Sequence, residues 1–199
     1  MEIKKRFDAL LLVDEAHAVG VLGRNGHGLT DALRLEGDVD IHMGTMSKAL
    51  GVAGGYIAGS QKLIDVLINR ARSFIYSTAP PPAIAAAAKA AIEWMQTPEG
   101  EKRREQLWRN LAYFGELMPA LFAEGRKIQS AIIPIVLGET DRALDAAERL
   151  SARGIYVPAI RYPTVPKDRA RLRVTLTASH TAEQITALCA ALREIGEAL

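Results

Sequence analysis

Five consecutive apolar residues, Ala9 to Val13, run straight into Asp14, Glu15, Ala16 and His17. A short unbroken apolar run is the pattern of a strand buried on both faces, as in the parallel sheet of an α/β fold. Ligand sites of open α/β sheets lie at the carboxyl ends of their strands. Asp14 is therefore placed for function. A carboxylate there pairs with a protonated ring nitrogen, and His17, three residues on, hydrogen-bonds or stacks beside the same ligand. Two other readings fit these residues. Asp14 caps the turn that follows, or the run and its DEAH ending form the acidic metal-binding motif of a nucleotide-driven helicase. The helicase reading needs a phosphate loop of the type G-x-x-x-x-G-K-[ST]. The glycine-rich stretch from Gly20 to Gly28 lacks the Lys-Ser/Thr ending of such a loop.

A second stretch, IHMGTMSKALGVAGG from Ile41 to Gly55, sets one lysine among small residues. Lys48 has no carboxylate, arginine or other lysine near it in this stretch, which predicts burial or a contact with a cofactor. Burial lowers a lysine's pKa and makes it a nucleophile for carbonyl groups. Thr45 and Ser47 put hydroxyls three and one residues before it, placed to hold a phosphate while the lysine reaches an aldehyde. A Ser-Lys pair alone is common on surfaces. The signal comes from two such constellations, each after a predicted strand, about thirty residues apart.

The remaining pattern is mixed. Val39–Met43 and Tyr56–Ala58 read as strands, Thr30–Leu35 and Gln61–Arg70 as helices, and Phe74–Tyr76 as a short extended piece. Pro80, Pro81 and Pro82 break the chain before an alanine-rich helix, Ala83–Met95. Thr97 and Pro98 start the next helix as N-cap and first-turn residues. That helix, Glu99–Leu117, carries an apolar stripe of Leu107, Leu111, Phe114 and Leu117 or Met118, and it reads as a connector. Beyond Lys127 the pattern is α+β. Strands are predicted at Ile132–Leu137, Ile155–Val157 and Arg171–Leu176, with Pro134 marking an edge or irregular position. A helix over Asp141–Arg153 closes at Gly154. Thr181 and Gln184 form a capping box that opens a last helix, to about Leu199.

Composition excludes several classes. The 199 residues are 49% hydrophobic and 24% charged, as in an ordinary globular protein. Net charge is +2, and the basic runs at 4–6 and 102–104 are short with acidic residues nearby, which argues against nucleic acid as a partner. The one cysteine, Cys189, rules out a disulfide scaffold or cysteine zinc site and predicts a reducing, cytoplasmic compartment. No apolar run has membrane-spanning length, and the first residues do not read as a signal peptide. No metal site is predicted. His27, His42 and His180 lack ligand-like spacing, and Lys4, Lys5 and Arg6 read as a solvated edge.

Five segments taken together, VDEAHAVGVLGRNGHG, GTMSKALGVAGGYIAGS, FIYSTAPPPA, IRYPTVP and RLRVTLTASHT, resemble the α-oxoamine synthases. These are fold-type-I enzymes dependent on pyridoxal 5′-phosphate (PLP). The resemblance spans nearly the whole chain in family order. It implies an α/β fold: part of the PLP-binding large domain over residues 1–96, then a connecting helix and a small α+β domain over 97–199. Members of the family are about twice this length, so the resemblance implies the C-terminal half of such an enzyme, its first half supplying early sheet strands and the aromatic residue stacked on PLP.

What the resemblance implies for single residues is specific. Lys48 is the lysine that carries PLP and moves the substrate Cα proton. Asp14 keeps the ring nitrogen protonated, and His17 lies beside the phenolic oxygen. Thr45 contacts the phosphate or a cofactor hydroxyl. Ser77 and Thr78 reach the phosphate of a partner subunit's cofactor, which implies a homodimer with shared sites. Arg173 binds the substrate carboxylate, and Thr164 touches substrate from the PTVP loop. Without the family, Arg173 reads as a solvated strand residue, and Ser77 and Thr78 as turn residues before prolines. The wording of the YSTAPPPA, PTVP and RLRVTLTASHT segments implies condensation of L-alanine with pimeloyl-CoA, or the carrier-protein thioester, in biotin synthesis. Glycine with acetyl-CoA, another amino acid and acyl pair of the family, or a non-catalytic fragment are the alternatives left open.

Overall fold

The computed structural model describes residues 2–125 and 127–197. The chain divides into two compact units, Met1–Arg104 and Glu105–Leu199, and the division falls inside one long helix, α6 (Pro98–Leu117).

In the first unit α1 (Glu2–Phe7) precedes β1 (Leu12–Asp14), and α2 (Leu29–Ala32) precedes β2 (Ile41–Thr45) and β3 (Gly55–Gly59). Helices α3 (Gln61–Arg70), α4 (Arg72–Ile75) and α5 (Pro82–Met95) follow. The sheet order is β1-β2-β3. β1 runs parallel to β2, with Asp14 opposite Met43, and β3 runs antiparallel to β2, with Gly55 opposite Thr45. The carboxyl ends of β1 and β2 and the start of β3 therefore share one end of the sheet.

Two expectations are corrected here. The Ala9–Val13 run is not a strand buried on both faces. β1 is three residues long and lies at the sheet's edge, where Leu10 and Leu12 are 76% and 52% exposed. Lys5 and Arg6 are exposed, as a solvated edge requires; they lie on α1, and Lys4 Nζ donates to Asp38 O at 2.7 Å and pairs with Asp40 Oδ2 at 2.6 Å. The predicted extended piece at Phe74–Tyr76 is the end of α4 and its cap, because the N–H groups of Phe74 and Ile75 both turn back to the Ala71 carbonyl.

Where the sequence places helix starts, the caps are present. Ser60 Oγ accepts from Leu63 N–H, and Thr97 Oγ1 accepts from Gly100 N–H at 3.2 Å. Pro82 occupies the first turn of α5, where its missing N–H costs nothing. A small core of Val19, Leu50 and Met95, flanked by Met46, Tyr56 and Ile92, lies two residues from Lys48.

The second unit has a sheet of order β4-β6-β5, antiparallel throughout: β4 (Ile132–Gly138), β5 (Ala159–Ile160) and β6 (Ala170–Thr175). Pro134 lies on β4, an edge strand, as its missing N–H requires. Helices α7 (Thr140–Ser151) and α8 (Ala182–Glu197) complete the unit. The expected strand over Ile155–Val157 is absent. Ile155 N–H is spent on the Leu150 carbonyl as α7 closes at Gly154, so pairing begins only at Ala159. The predicted α6 stripe is core: Leu107, Leu111 and Phe114 are buried, as are Leu150, Leu172 and Ile185. Thr181 and Gln184 form the reciprocal capping box of α8, at 3.0 and 3.3 Å. Residues 198 and 199, within the predicted last helix, lie outside the described residues. Among the described residues no helix is long and apolar enough to cross a membrane.

Candidate active site

Asp14 ends β1 and Thr45 ends β2, on neighbouring parallel strands. Lys48 follows three residues later in the loop between β2 and β3. Asp14 Oδ1 accepts from Ala16 N–H at 2.9 Å, which turns the chain sharply and leaves the carboxylate exposed at the strand end. His17 sits exposed in the same turn. Thr45 Oγ1 is the hub of the lysine loop. It donates to Gly54 O at 3.0 Å, shares a 2.8 Å hydrogen bond with Ser47 Oγ, and accepts from Ser47 N–H at 3.2 Å. Backbone bonds from Met46 N–H to Gly54 O and from Val52 N–H to Met46 O close the loop across itself.

Two glycines allow these loops to approach. A Cβ on Gly20, whose φ is +80°, would meet Ala49 Cβ at 2.6 Å, so the Asp14–Gly20 turn presses against the residue after Lys48. A Cβ on Gly44 would meet the Tyr56 ring at 2.4 Å, so the ring crosses β2 at that point. Beneath the turn, Glu15 is buried. Its carboxylate accepts from Thr30 N–H at 2.8 Å and Thr30 Oγ1 at 3.0 Å, and lies 3.7 Å from His42 Nδ1. Burial, and then Glu15, push the Tyr56 phenol pKa up. Beside it Asp31 is buried and pairs with Arg24 at 2.8 Å. The guanidinium and the backbone N–H of Arg24 hold its carboxyl down at about 2.

The predicted site residues fall into three places. Asp14, His17, Thr45 and Lys48 share one end of the first sheet. Ser77 and Thr78 lie exposed after α4, and Ser77 Oγ donates to Ser73 O at 2.5 Å. Arg173 and Thr164 belong to the second unit, Arg173 half-buried on β6 and Thr164 exposed with its N–H on Arg161 O. The predicted burial of Lys48 is corrected: the side chain is exposed on its loop, because the apolar anchor of that loop is Leu50. Sequence reasoning missed Glu15 and His42. Their signal was faint, since the carboxylate beside Asp14 read only as part of a motif and His42 is one face-alternating residue on a strand.

The chain matches the family model described as aminotransferase class I and II over residues 1–192. A protein of Geobacter sulfurreducens named 8-amino-7-oxononanoate synthase is 42% identical over 197 residues, covering 99% of this chain and 50% of that protein. One of the same name from Anaeromyxobacter dehalogenans is 47% identical over 194 residues, covering 98% and 48%. Among solved structures, a serine palmitoyltransferase from S. paucimobilis with bound PLP and myriocin aligns with a TM-score of 0.89 at 30% identity, covering 99% of this chain and 50% of that one. The 8-amino-7-oxononanoate synthase of Francisella tularensis aligns with a TM-score of 0.80 at 31% identity, covering 98% and 56%. The chain spans about half the length of the curated relatives it matches. It has the α/β fold of PLP-dependent transferases and belongs to the aminotransferase class I and II family.

Proposed function

We propose that this chain is the lysine-bearing part of a PLP-dependent α-oxoamine synthase. The enzyme condenses L-alanine with pimeloyl-CoA, or pimeloyl-carrier protein, with loss of CO2, giving 8-amino-7-oxononanoate for biotin synthesis. The observation that carries this reading is identity of 40–47% along essentially the whole chain with proteins of that name. In this reading residues 1–96 belong to the cofactor-binding domain, and 97–199 hold a connecting helix and a small α+β domain.

The donor set fits PLP. An amine for an aldehyde, a carboxylate for a ring nitrogen and hydroxyls for a phosphate meet at adjoining strand ends as Lys48, Asp14, Thr45 and Ser47. PLP, when bound, supplies an electron sink for the pair released at the amino acid's α-carbon. The chain's own groups do the rest. Asp14 holds a proton on the ring nitrogen, and the Ala16 N–H fixes its orientation. His17 hydrogen-bonds or stacks beside the ring. Lys48 Nζ takes the proton from the alanine Cα and returns one at the end. Arg173 clamps the α-carboxylate with its planar fork until that group leaves as CO2. As the new C–C bond forms, the thioester C–S bond breaks and the thiol leaves. Thr164 contacts the substrate. Ser77 and Thr78 reach the phosphate held by a partner subunit, which requires the Ser77 hydroxyl to leave Ser73 O.

The exposed β1 edge with Leu10 and Leu12 favours a second reading for this chain on its own: it folds and takes PLP but does not turn over. A turnover assay pairing alanine or glycine with acetyl-, succinyl-, pimeloyl- and palmitoyl-CoA decides. Product from alanine and pimeloyl-CoA supports the first reading. Product only from glycine and acetyl-CoA contradicts it, and no product from any pair, with Lys48 still labelled by PLP, supports the second.

A further inference from the structure

Two arginines stand side by side on the open face of β6. Arg171 and Arg173 alternate with Ala170, Leu172 and Val174, all of which are buried at 2% exposure or less. Residues two apart on a strand face the same way, with Cα atoms roughly 7 Å apart. Their register neighbours on the flanking strands, Pro134, Val136 and Ile160, carry no charge. Arg171 Nε donates to Arg169 O at 3.1 Å, and among the described residues neither guanidinium forms an ion pair. Two half-buried cations this close raise each other's energy unless an anion lies against them. In the reading above, which this inference extends, Arg173 already has an anion, the α-carboxylate of the amino acid. Arg171 does not. The acyl donor of that reading brings further negative charge at its far ends, the ω-carboxylate of a dicarboxylic chain and the phosphates of CoA.

We propose that Arg171 is a specificity-determining residue that binds the remote anionic group of the acyl donor, beside the carboxylate held by Arg173. The Arg169 carbonyl fixes one edge of the guanidinium along its own strand. The two Nη groups remain to make a forked contact with a carboxylate or phosphate. Pro134 and Val136 form an apolar floor opposite the two arginines, suited to the methylene chain that separates two anionic ends.

The test needs no cofactor, because both arginines lie in one unit. The full 199-residue chain is titrated with pimelate, with heptanoate and with adenosine 3′,5′-bisphosphate, following backbone amides by NMR. The wild type is compared with Arg171→Gln and Arg171→Lys. At least one dianion should move the amides of residues 170–175 and bind about tenfold more weakly to Arg171→Gln, with partial recovery in Arg171→Lys. Heptanoate should bind weakly and alike in all three. Pimelate as the sensitive ligand identifies the ω-carboxylate, and the bisphosphate identifies CoA. Should both dianions bind equally to wild type and Arg171→Gln, or should neither move those amides, the assignment of Arg171 is overturned. Unshifted amides elsewhere show that the fold is kept, and if Arg171→Gln disturbs them the same comparison is read from Arg171→Lys. A failure of the reading above shows separately, as loss of PLP labelling at Lys48 with this anion binding intact.

Discussion

Gly20 and Ala49 approach so closely that no side chain fits between them: a Cβ on Gly20 would lie 2.6 Å from the Ala49 Cβ. This contact joins the turn that carries Asp14 and His17 to the residue beside Lys48. Gly20 also has φ +80°, a conformation costly for any residue with a Cβ. Gly20→Ala should destabilise the first unit by about 2–4 kcal/mol, adding backbone strain to overpacking. Gly51→Ala is the control. Its φ is +67°, but nothing lies within 4 Å of the added Cβ, so the cost should be about 1 kcal/mol. Urea denaturation compares the two, and equal losses would show that the loop contact carries no energy.

Glu15 fastens the same turn from below. Its N–H donates to Met43 O at 2.7 Å, its carbonyl accepts from Ala18 and Val19, and its carboxylate takes the Thr30 N–H and hydroxyl. Glu15→Ala leaves a buried N–H without a partner and should cost about 2–3 kcal/mol. It should also weaken PLP binding, because Asp14 and His17 lose their support. A denaturation midpoint unchanged from wild type would mean that Thr30 finds water instead. Glu15→Gln should bring the Tyr56 phenol pKa down by removing the nearby negative charge, a shift read by ultraviolet titration.

Asp31 makes stability depend on acid. Its carboxyl titrates at about 2 rather than 3.8, held down first by the Arg24 side chain and then by the Arg24 backbone N–H. Because the folded pKa is the lower one, the stabilisation is complete above pH 3.8 and is lost as pH falls through about 2. Asp31→Asn should therefore be less stable than wild type at neutral pH and should lose less between about pH 4 and pH 2. Denaturation curves across that window check this. Parallel slopes in the two proteins would assign the acid sensitivity to other carboxylates.

Much of this was legible in the sequence, for reasons that differ by residue. The capping residues Ser60, Thr97 and Thr181 act within three positions, so local sequence determines them, and only the last two were read. The alternation Leu172, Val174, Leu176 against Arg171 and Arg173 has one solution on a half-buried sheet, and β6 adopts it. The apolar run before Asp14 misled because burial depends on what covers a strand, and an edge strand shows its residues to solvent. Val157 misled in the opposite way: it is buried outside the ladder, and burial alone produces the same apolar pattern as a strand. At the site, residue types and order singled out Asp14, Thr45 and Lys48, which the fold sets at one end of the first sheet. The pairing of Glu15 with Thr30 and His42 joins positions fifteen and twenty-seven residues apart and leaves no periodic trace.

The central claim is that Lys48 carries PLP. The direct measurement is to mix the chain with PLP, reduce with borohydride, and locate the pyridoxyl label by peptide mass spectrometry, alongside Lys48→Ala. The account predicts a visible PLP–lysine absorption band that borohydride removes, the label on the peptide containing Lys48, and neither band nor label in the variant. A reducible band that survives in Lys48→Ala, or a label confined to other lysines, would contradict it.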